Sequence, residues 1–148
     1  MSRRAFASRS HSAGAAELPL ARQLGGAGRL DVVDIQADII DHIARECARH
    51  NLTNLHATQA DATALPFDDN TFDSTYMMTV LGETPAAGSA VREVPRVLKP
   101  NGTLVVGEFL DHHWISPKHL TRIVNAAGLH ELRRHGRFWG YATAFRAS

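Results

Sequence analysis

The sequence predicts an α/β fold on one mostly parallel sheet, closed at its end by an antiparallel hairpin. Three observations lead there. Short runs of β-forming residues alternate with amphipathic helical stretches, the pattern of strand, crossover helix and parallel strand. The stretch from Leu65 to Glu108 shows it in full as turn, strand, helix, turn and strand. The period then changes near the end, where Trp139, Tyr141, Thr143 and Phe145 alternate onto one face of a strand.

Each element has its own signal. Between Ala15 and Leu24, residues Leu18, Leu20, Ala21 and Leu24 form an apolar stripe at helical spacing, stopped by Gly25-Gly26 and Gly28. Pro19 fits only near the first turn. Leu30 to Val33 is a short strand ending at Asp34, and Ala37 to His50 is a crossover helix with Ile40, Ile43, Ala44 and Cys47 on one face. Asn51 to Asn54 end it, and Leu55 to Gln59 is the next strand. Asp68 to Thr71 is a turn before the strand Phe72 to Met78.

The helix Ala86 to Leu98 follows, with Pro95 inside it removing one hydrogen bond and bending it. In the turn Lys99-Pro100-Asn101-Gly102, Asn101 suits a left-handed conformation. Thr103 to Gly107 is a strand, and Pro117 to Ala127 a helix with Leu120, Ile123, Val124 and Ala127 on one face. Leu129 to His135 and Arg137 to Phe145 form the closing hairpin, with Arg133, Arg134 and Arg137 as a solvated edge that discourages strand pairing. Arg92, Glu93 and Arg96 read as surface or sheet-edge ion pairs.

Leu65-Pro66-Phe67, Phe67-Asp68-Asp69-Asn70-Thr71-Phe72-Asp73, Arg92-Glu93 and Arg96-Val97-Leu98-Lys99-Pro100-Asn101-Gly102 resemble the second half of class I S-adenosylmethionine (SAM) dependent methyltransferases. The likeness is to the small-molecule, type 11-like group and covers about residues 18 to 145. It implies a doubly wound, Rossmann-like sheet and methyl transfer from SAM to a small-molecule acceptor. In that family a strand and a glycine-rich G-x-G-x-G turn precede the first crossover helix. Residues 1 to 16 show neither, so the sheet is expected to be incomplete, from a truncated or frame-disrupted chain. Residues 1 to 16 are expected to be a disordered or misassigned start, and 17 to 148 the domain.

An acid at the end of the strand Leu30 to Val33 sits where a ribose presents two hydroxyls, and a carboxylate accepts from both. Asp34 is that residue by resemblance; its other reading is a cap on the helix beginning near Ala37. Ile35 then lies against the adenine face. The resemblance also gives Asp61 as acceptor for the adenine amino group, with the backbone N–H of Ala62 on a ring nitrogen, and places Met77 along the cofactor site. Asp73, at a strand's amino end, ties loop backbone. Glu83, Asp111, His112 and Tyr141 fall on the substrate side by topology, but no catalytic residue is identified.

Composition narrows the alternatives. With 148 residues, 44% apolar and 21% charged, the chain makes one globular domain. The net charge is +1, and Arg3, Arg4 and Arg9 precede the first acid, so the rest is slightly acidic and no nucleic-acid face is expected. Residues 1 to 16, with three Arg, four Ser, five Ala and no acid, have a transit-peptide-like composition but no apolar core of a secretory signal.

Cys47 alone permits no intrachain disulfide and suits a reducing cytoplasm. No apolar run is long enough for a membrane helix. Asp111, His112, His113 and His119 lack metal-site spacing, so no metal is expected. A nicotinamide-dependent dehydrogenase would rest on Asp34 alone. The main alternative is a non-catalytic remnant that pairs its exposed sheet with itself or with a partner.

Overall fold

A computed structural model of the chain describes residues 3–9, 17–78, 81, 87–109, 114–137 and 139–147. Its elements in chain order are β1 (Arg3–Arg9), α1 (Glu17–Leu24), β2 (Gly28–Asp34), α2 (Ala37–Arg49), β3 (Leu55–Gln59), β4 (Phe72–Met78), α3 (Ala87–Val97), β5 (Leu98–Phe109), α4 (Pro117–Ala126), β6 (Leu129–Arg137) and β7 (Gly140–Ala147). They build a seven-stranded sheet in the order β3-β2-β1-β4-β5-β7-β6. The strands β3, β2, β1, β4 and β5 run parallel, while β7 is antiparallel to both β5 and β6.

The doubly wound sheet and its C-terminal hairpin are as the sequence predicts. Its completeness is not, because Arg3–Arg9 is the central strand, paired with β2 on one side and β4 on the other. The sheet thus takes in a segment assigned to a disordered start. Its polar composition hides the strand: only Ala5, Phe6 and Ala7 form an apolar run, and all three are buried. The charge of Arg4 is met by residues distant in sequence. Its Nε donates to Asp31 Oδ2 at 2.9 Å, and its backbone N–H donates to Asp73 Oδ2 at 2.8 Å.

Asp31 is 1% exposed and is held a second time by Arg29, 2.7 Å from Nη2 to Oδ1. Burial pushes its carboxyl up, but the hydrogen bonds and charges of Arg29 and Arg4 outweigh that and hold it below the usual range.

Alternation along β1 divides the core. Ala5 and Ala7 join Ala21, Leu30, Val32 and Ile43 under α1 and α2. Phe6 joins Val33, Phe72, Val91, Val94, Leu104 and Val106 on the α3 and α4 side. No helix connects β3 to β4, so Phe67 from that connection covers the sheet next to β1. The Phe67 ring meets Phe72 edge-on at 4.9 Å and Phe6 at 5.9 Å, and the Arg4 guanidinium lies 5.1 Å from the Phe72 centroid.

Boundaries differ where tertiary pairing decides. Leu98 pairs with Phe72 and Thr103 with Ser74, so Lys99 to Gly102 is an excursion inside β5, with Asn101 at φ 62. Gly25 ends α1 at φ 63, and the Asn54 side chain donates to the Ala21 and Gly25 carbonyls there. Trp139 departs from the expected buried face. It precedes β7 and is 66% exposed, while Tyr141, Thr143, Phe145 and Ala147 face the core.

Replacing Arg4 by Ala should lower unfolding free energy by on the order of 2 kcal/mol, because Asp31 keeps only Arg29. An Asp with a depressed folded pKa stabilises above its unfolded value of about 3.9 and loses that contribution as pH falls through the folded value. Chemical melts of both proteins should therefore differ most near neutrality and converge in acid; a gap independent of pH would contradict the pairing.

Candidate active site at the carboxyl edge of the sheet

The parallel strands end along one edge, and the strand order reverses between β1 and β4, where an open α/β sheet forms its binding crevice. Register sets Thr58, Val33, Ser8, Met77 and Val106 side by side across β3, β2, β1, β4 and β5. Asp34 lies one residue further along β2, opposite Gln59.

Asp34 is 8% exposed, and its Oδ1 accepts from the Gln36 N–H at 2.8 Å. Gln36, not Asp34, is the N-cap residue of α2, and no side-chain bond caps that helix. Burial raises the Asp34 carboxyl above its ordinary value. The Gln36 N–H pulls the other way, and the charges of Asp38 and Glu17 raise it further. Ile35, next along, is 64% exposed, and its carbonyl accepts from Gln59 Nε2.

Asp61 begins the connection to β4. Its Oδ1 accepts from both the N–H and the hydroxyl of Thr63, each at 2.8 Å, which holds its carboxyl low. Ala62 is partly buried against the core. The Ala60 N–H donates to the Asp34 carbonyl at 3.0 Å and ties this loop to the end of β2. The edge therefore gathers Asp34, Ile35, Asp61 and Ala62. Met77 has its backbone in the same row, but its side chain is 1% exposed within the core.

Two features escape a reading by sequence neighbourhood. Glu93 and Arg96 are not mere surface ion pairs. Glu93 Oε2 accepts from the Leu65 N–H at 2.9 Å, while Arg96 donates to the carbonyls of Leu65 at 3.0 Å and Phe67 at 2.7 Å and to Glu93 and Asp69. Their i, i+3 spacing beside a loop without secondary structure was the available signal, since that backbone must find partners. Glu108 is the second: it is buried, opposite Tyr141 across β5 and β7. Tyr141 Oη donates to the Ile115 carbonyl at 2.6 Å, and burial, then the Glu108 charge, pushes the phenol up.

Asp73, expected to tie loop backbone, instead accepts from the Arg4 N–H of the strand β1 and binds Lys99 Nζ at 2.9 Å. Glu83, Asp111, His112 and His113 lie outside the described residues, as do residues 10–16 between β1 and α1. Among the described residues no group of three or more His, Cys, Asp or Glu could hold a metal ion.

A sequence profile described as a methyltransferase domain matches residues 11–102, more than half of the chain. The chain belongs to the class I SAM-dependent methyltransferases. Among relatives of this methyltransferase chain, the ubiquinone/menaquinone biosynthesis C-methyltransferase UbiE of Hahella chejuensis is 36% identical over 89 residues, covering 60% of this chain and 36% of its own. UbiE of Enterobacter sp. is 37% identical over 117 residues, covering 78% and 45%. The chain thus spans less than half the length of these two relatives.

Its fold matches the crystal structure of a SAM-dependent methyltransferase from Aquifex aeolicus with a TM-score of 0.88 at 18% identity, covering 97% of this chain and 82% of that one. The seven-stranded, mostly parallel sheet with its antiparallel C-terminal pair thus matches the Rossmann-like methyltransferase fold.

Asp34→Asn keeps an acceptor for the Gln36 N–H and removes a charge that burial disfavours. The ligand-free variant should melt at the same or a higher temperature than wild type at neutral pH. Since the Asp34 pKa is raised in the folded state, the advantage should vanish as pH falls through that value. A clear loss of stability at neutral pH would show that the carboxylate is charge-compensated.

Proposed function

We propose that this chain binds SAM across the carboxyl ends of β1, β2, β3 and β4 and methylates a small-molecule acceptor. The observation that carries the reading is Asp34: a desolvated carboxylate at the crevice, flanked by acids, with no cation among the groups that shift its titration. Paired ribose hydroxyls are the donors such a group fits. Ile35 offers exposed apolar surface to the adenine face. Asp61 accepts from the adenine amino group, and the Ala62 N–H reaches a ring nitrogen. Met77 contributes through the packed floor beneath the site. Between β1 and α1 the sequence reads Ser10-His11-Ser12-Ala13-Gly14, in which four of five residues are small.

When bound, SAM supplies a methyl already activated on a sulfonium. The protein's task is then to orient, exclude water and set the line of approach. Phe109 and Trp139, exposed at the end of β5 and before β7, give ring surface on the acceptor side. Relatives named for ubiquinone and menaquinone biosynthesis make a quinone-type ring the first acceptor class to test. The remnant reading loses the missing central strand, which β1 supplies, and keeps only the absent glycine-rich turn as its motive. Self-association would have to use an outer strand, β3 or β6. No helix among the described residues is long and apolar enough to cross a membrane, and lone Cys47 fits a cytoplasmic protein.

S-adenosylhomocysteine at 100 times its dissociation constant should stabilise the chain by about 2.7 kcal/mol, read as an upward thermal shift. Asp34→Ala should weaken that affinity on the order of tenfold or more. Tritium from labelled SAM should then pass to a quinone-type acceptor. A melt that the ligand never moves would end the proposal.

A further inference from the structure

The connection from Ala60 to Thr71 carries Asp61 and Ala62, proposed above to meet the adenine edge, yet contains no helix or strand. Its front segment is a compact turn: Asp61 Oδ1 takes both Thr63 donors, and the Ala64 N–H donates to the Asp61 carbonyl at 3.1 Å. Such a turn fixes its own shape but not its position on the sheet. Besides the packing of Ala62, Leu65 and Phe67 against the core, two hydrogen-bonded anchors fix the position. One is the bond from the Ala60 N–H to the Asp34 carbonyl. The other begins immediately after the turn, at Leu65, and belongs entirely to the last turns of α3.

There Glu93 takes the Leu65 N–H, and Arg96 takes the Leu65 carbonyl through Nη2 and the Phe67 carbonyl through Nη1. Arg96 Nε and Nη2 in turn donate to Glu93 at 3.1 and 2.7 Å, so the two side chains hold each other in place. The Asn70 and Thr71 N–H groups donate to the Arg96 and Val97 carbonyls. One planar guanidinium thus serves two loop carbonyls and two carboxylates, a geometry that a lysine cannot reproduce.

We infer that Arg96, backed by Glu93, is a positioning residue for adenine recognition: it sets the Asp61 turn at the height where Asp61 meets the adenine amino group. The inference rests on the SAM reading above. It makes base selectivity a property of α3, although no side chain of that helix need touch the base.

The test separates positioning from mere stabilisation by using two ligands that differ only at the base. S-inosylhomocysteine carries a carbonyl where S-adenosylhomocysteine has its amino group, so it faces the Asp61 carboxylate acceptor to acceptor. Calorimetric titration of wild type should favour the adenosyl ligand by on the order of tenfold or more. In Arg96→Ala that ratio should fall toward one, because adenosyl affinity drops while inosyl affinity stays. Arg96→Lys, which keeps the charge and most of the stem, serves if the alanine variant does not fold, and should show the same collapse. Asp69→Ala, which removes only an exposed partner of Arg96, should keep the wild-type ratio.

Equal weakening of both ligands with the ratio preserved would mean that Arg96 only stabilises the fold, and would overturn the inference. Tight wild-type binding without base preference would overturn it as well. If wild type binds neither ligand, the SAM reading fails and the inference falls with it.

Discussion

The buried carboxylate of Asp31 is the constraint on which the centre of this sheet depends. An ionised acid with 1% exposure is tolerated only if cations and hydrogen bonds replace the water it has lost. Arg29 supplies one from the same strand, and Arg4 supplies the other from β1. Arg4, one-third exposed near the amino end of β1, gains an anion in return. Their meeting fixes β1 beside β2, with Phe6 opposite Asp31. On the other flank, Asp73 accepts the Arg4 N–H and binds Lys99, linking β1, β4 and β5 near their amino ends. Charge pairing at that end leaves the carboxyl end free for the crevice.

The two faces of the sheet are covered by different means, and the site follows from the difference. On one face α1 and α2 bury Leu30, Val32 and Ile43 in the ordinary way of crossover helices. On the other, the connection from β3 to β4 has no helix, and Leu65 and Phe67 fill the space from an irregular loop. Irregular backbone must satisfy each N–H and carbonyl individually. Glu93 and Arg96 meet part of that need, and Asp61 meets another part through its own turn. The residues proposed to read the base therefore lie on a loop whose position is imposed from α3, while Asp34 sits on the rigid end of a strand.

Much of this was legible because local signals agreed with the final packing. The stripe of Ile43 and Cys47, the Gly25 stop and the left-handed Asn101 lie where periodicity and turn chemistry put them. The central strand was hidden for a physical reason. Arg3, Arg4 and Arg9 bracket a run of three apolar residues, and the groups that neutralise Arg4 and cap its backbone are 27 and 69 residues away. No local window contains that compensation. Leu98 belongs to β5 because Phe72 pairs with it, and Trp139 leaves the alternating face because it lies in the hairpin turn, between the paired Arg137 and Gly140. Of the site, Asp34, Ile35, Asp61 and Ala62 gather at one edge. Met77 has its side chain in the core, in the buried cluster that also holds Ala90, Val91 and Val94 of α3.

The two acids of the proposed site are electrostatically unlike, and that asymmetry suits their roles. Asp61 is solvated and already holds two donors from Thr63, so its charge is stable before any ligand arrives. A charged acceptor makes a stronger bond to the adenine amino group than a neutral one would, and a base that presents a carbonyl there forfeits that bond. Asp34 is desolvated, with the backbone N–H groups of Gln36 and Ile35 and two nearby acids, and burial disfavours its ionised form. Two hydroxyl donors would relieve that cost as well as add their own bonds. Affinity should therefore concentrate at the ribose and discrimination at the base, which is why a helix that governs only the position of Asp61 can alter selectivity without removing binding.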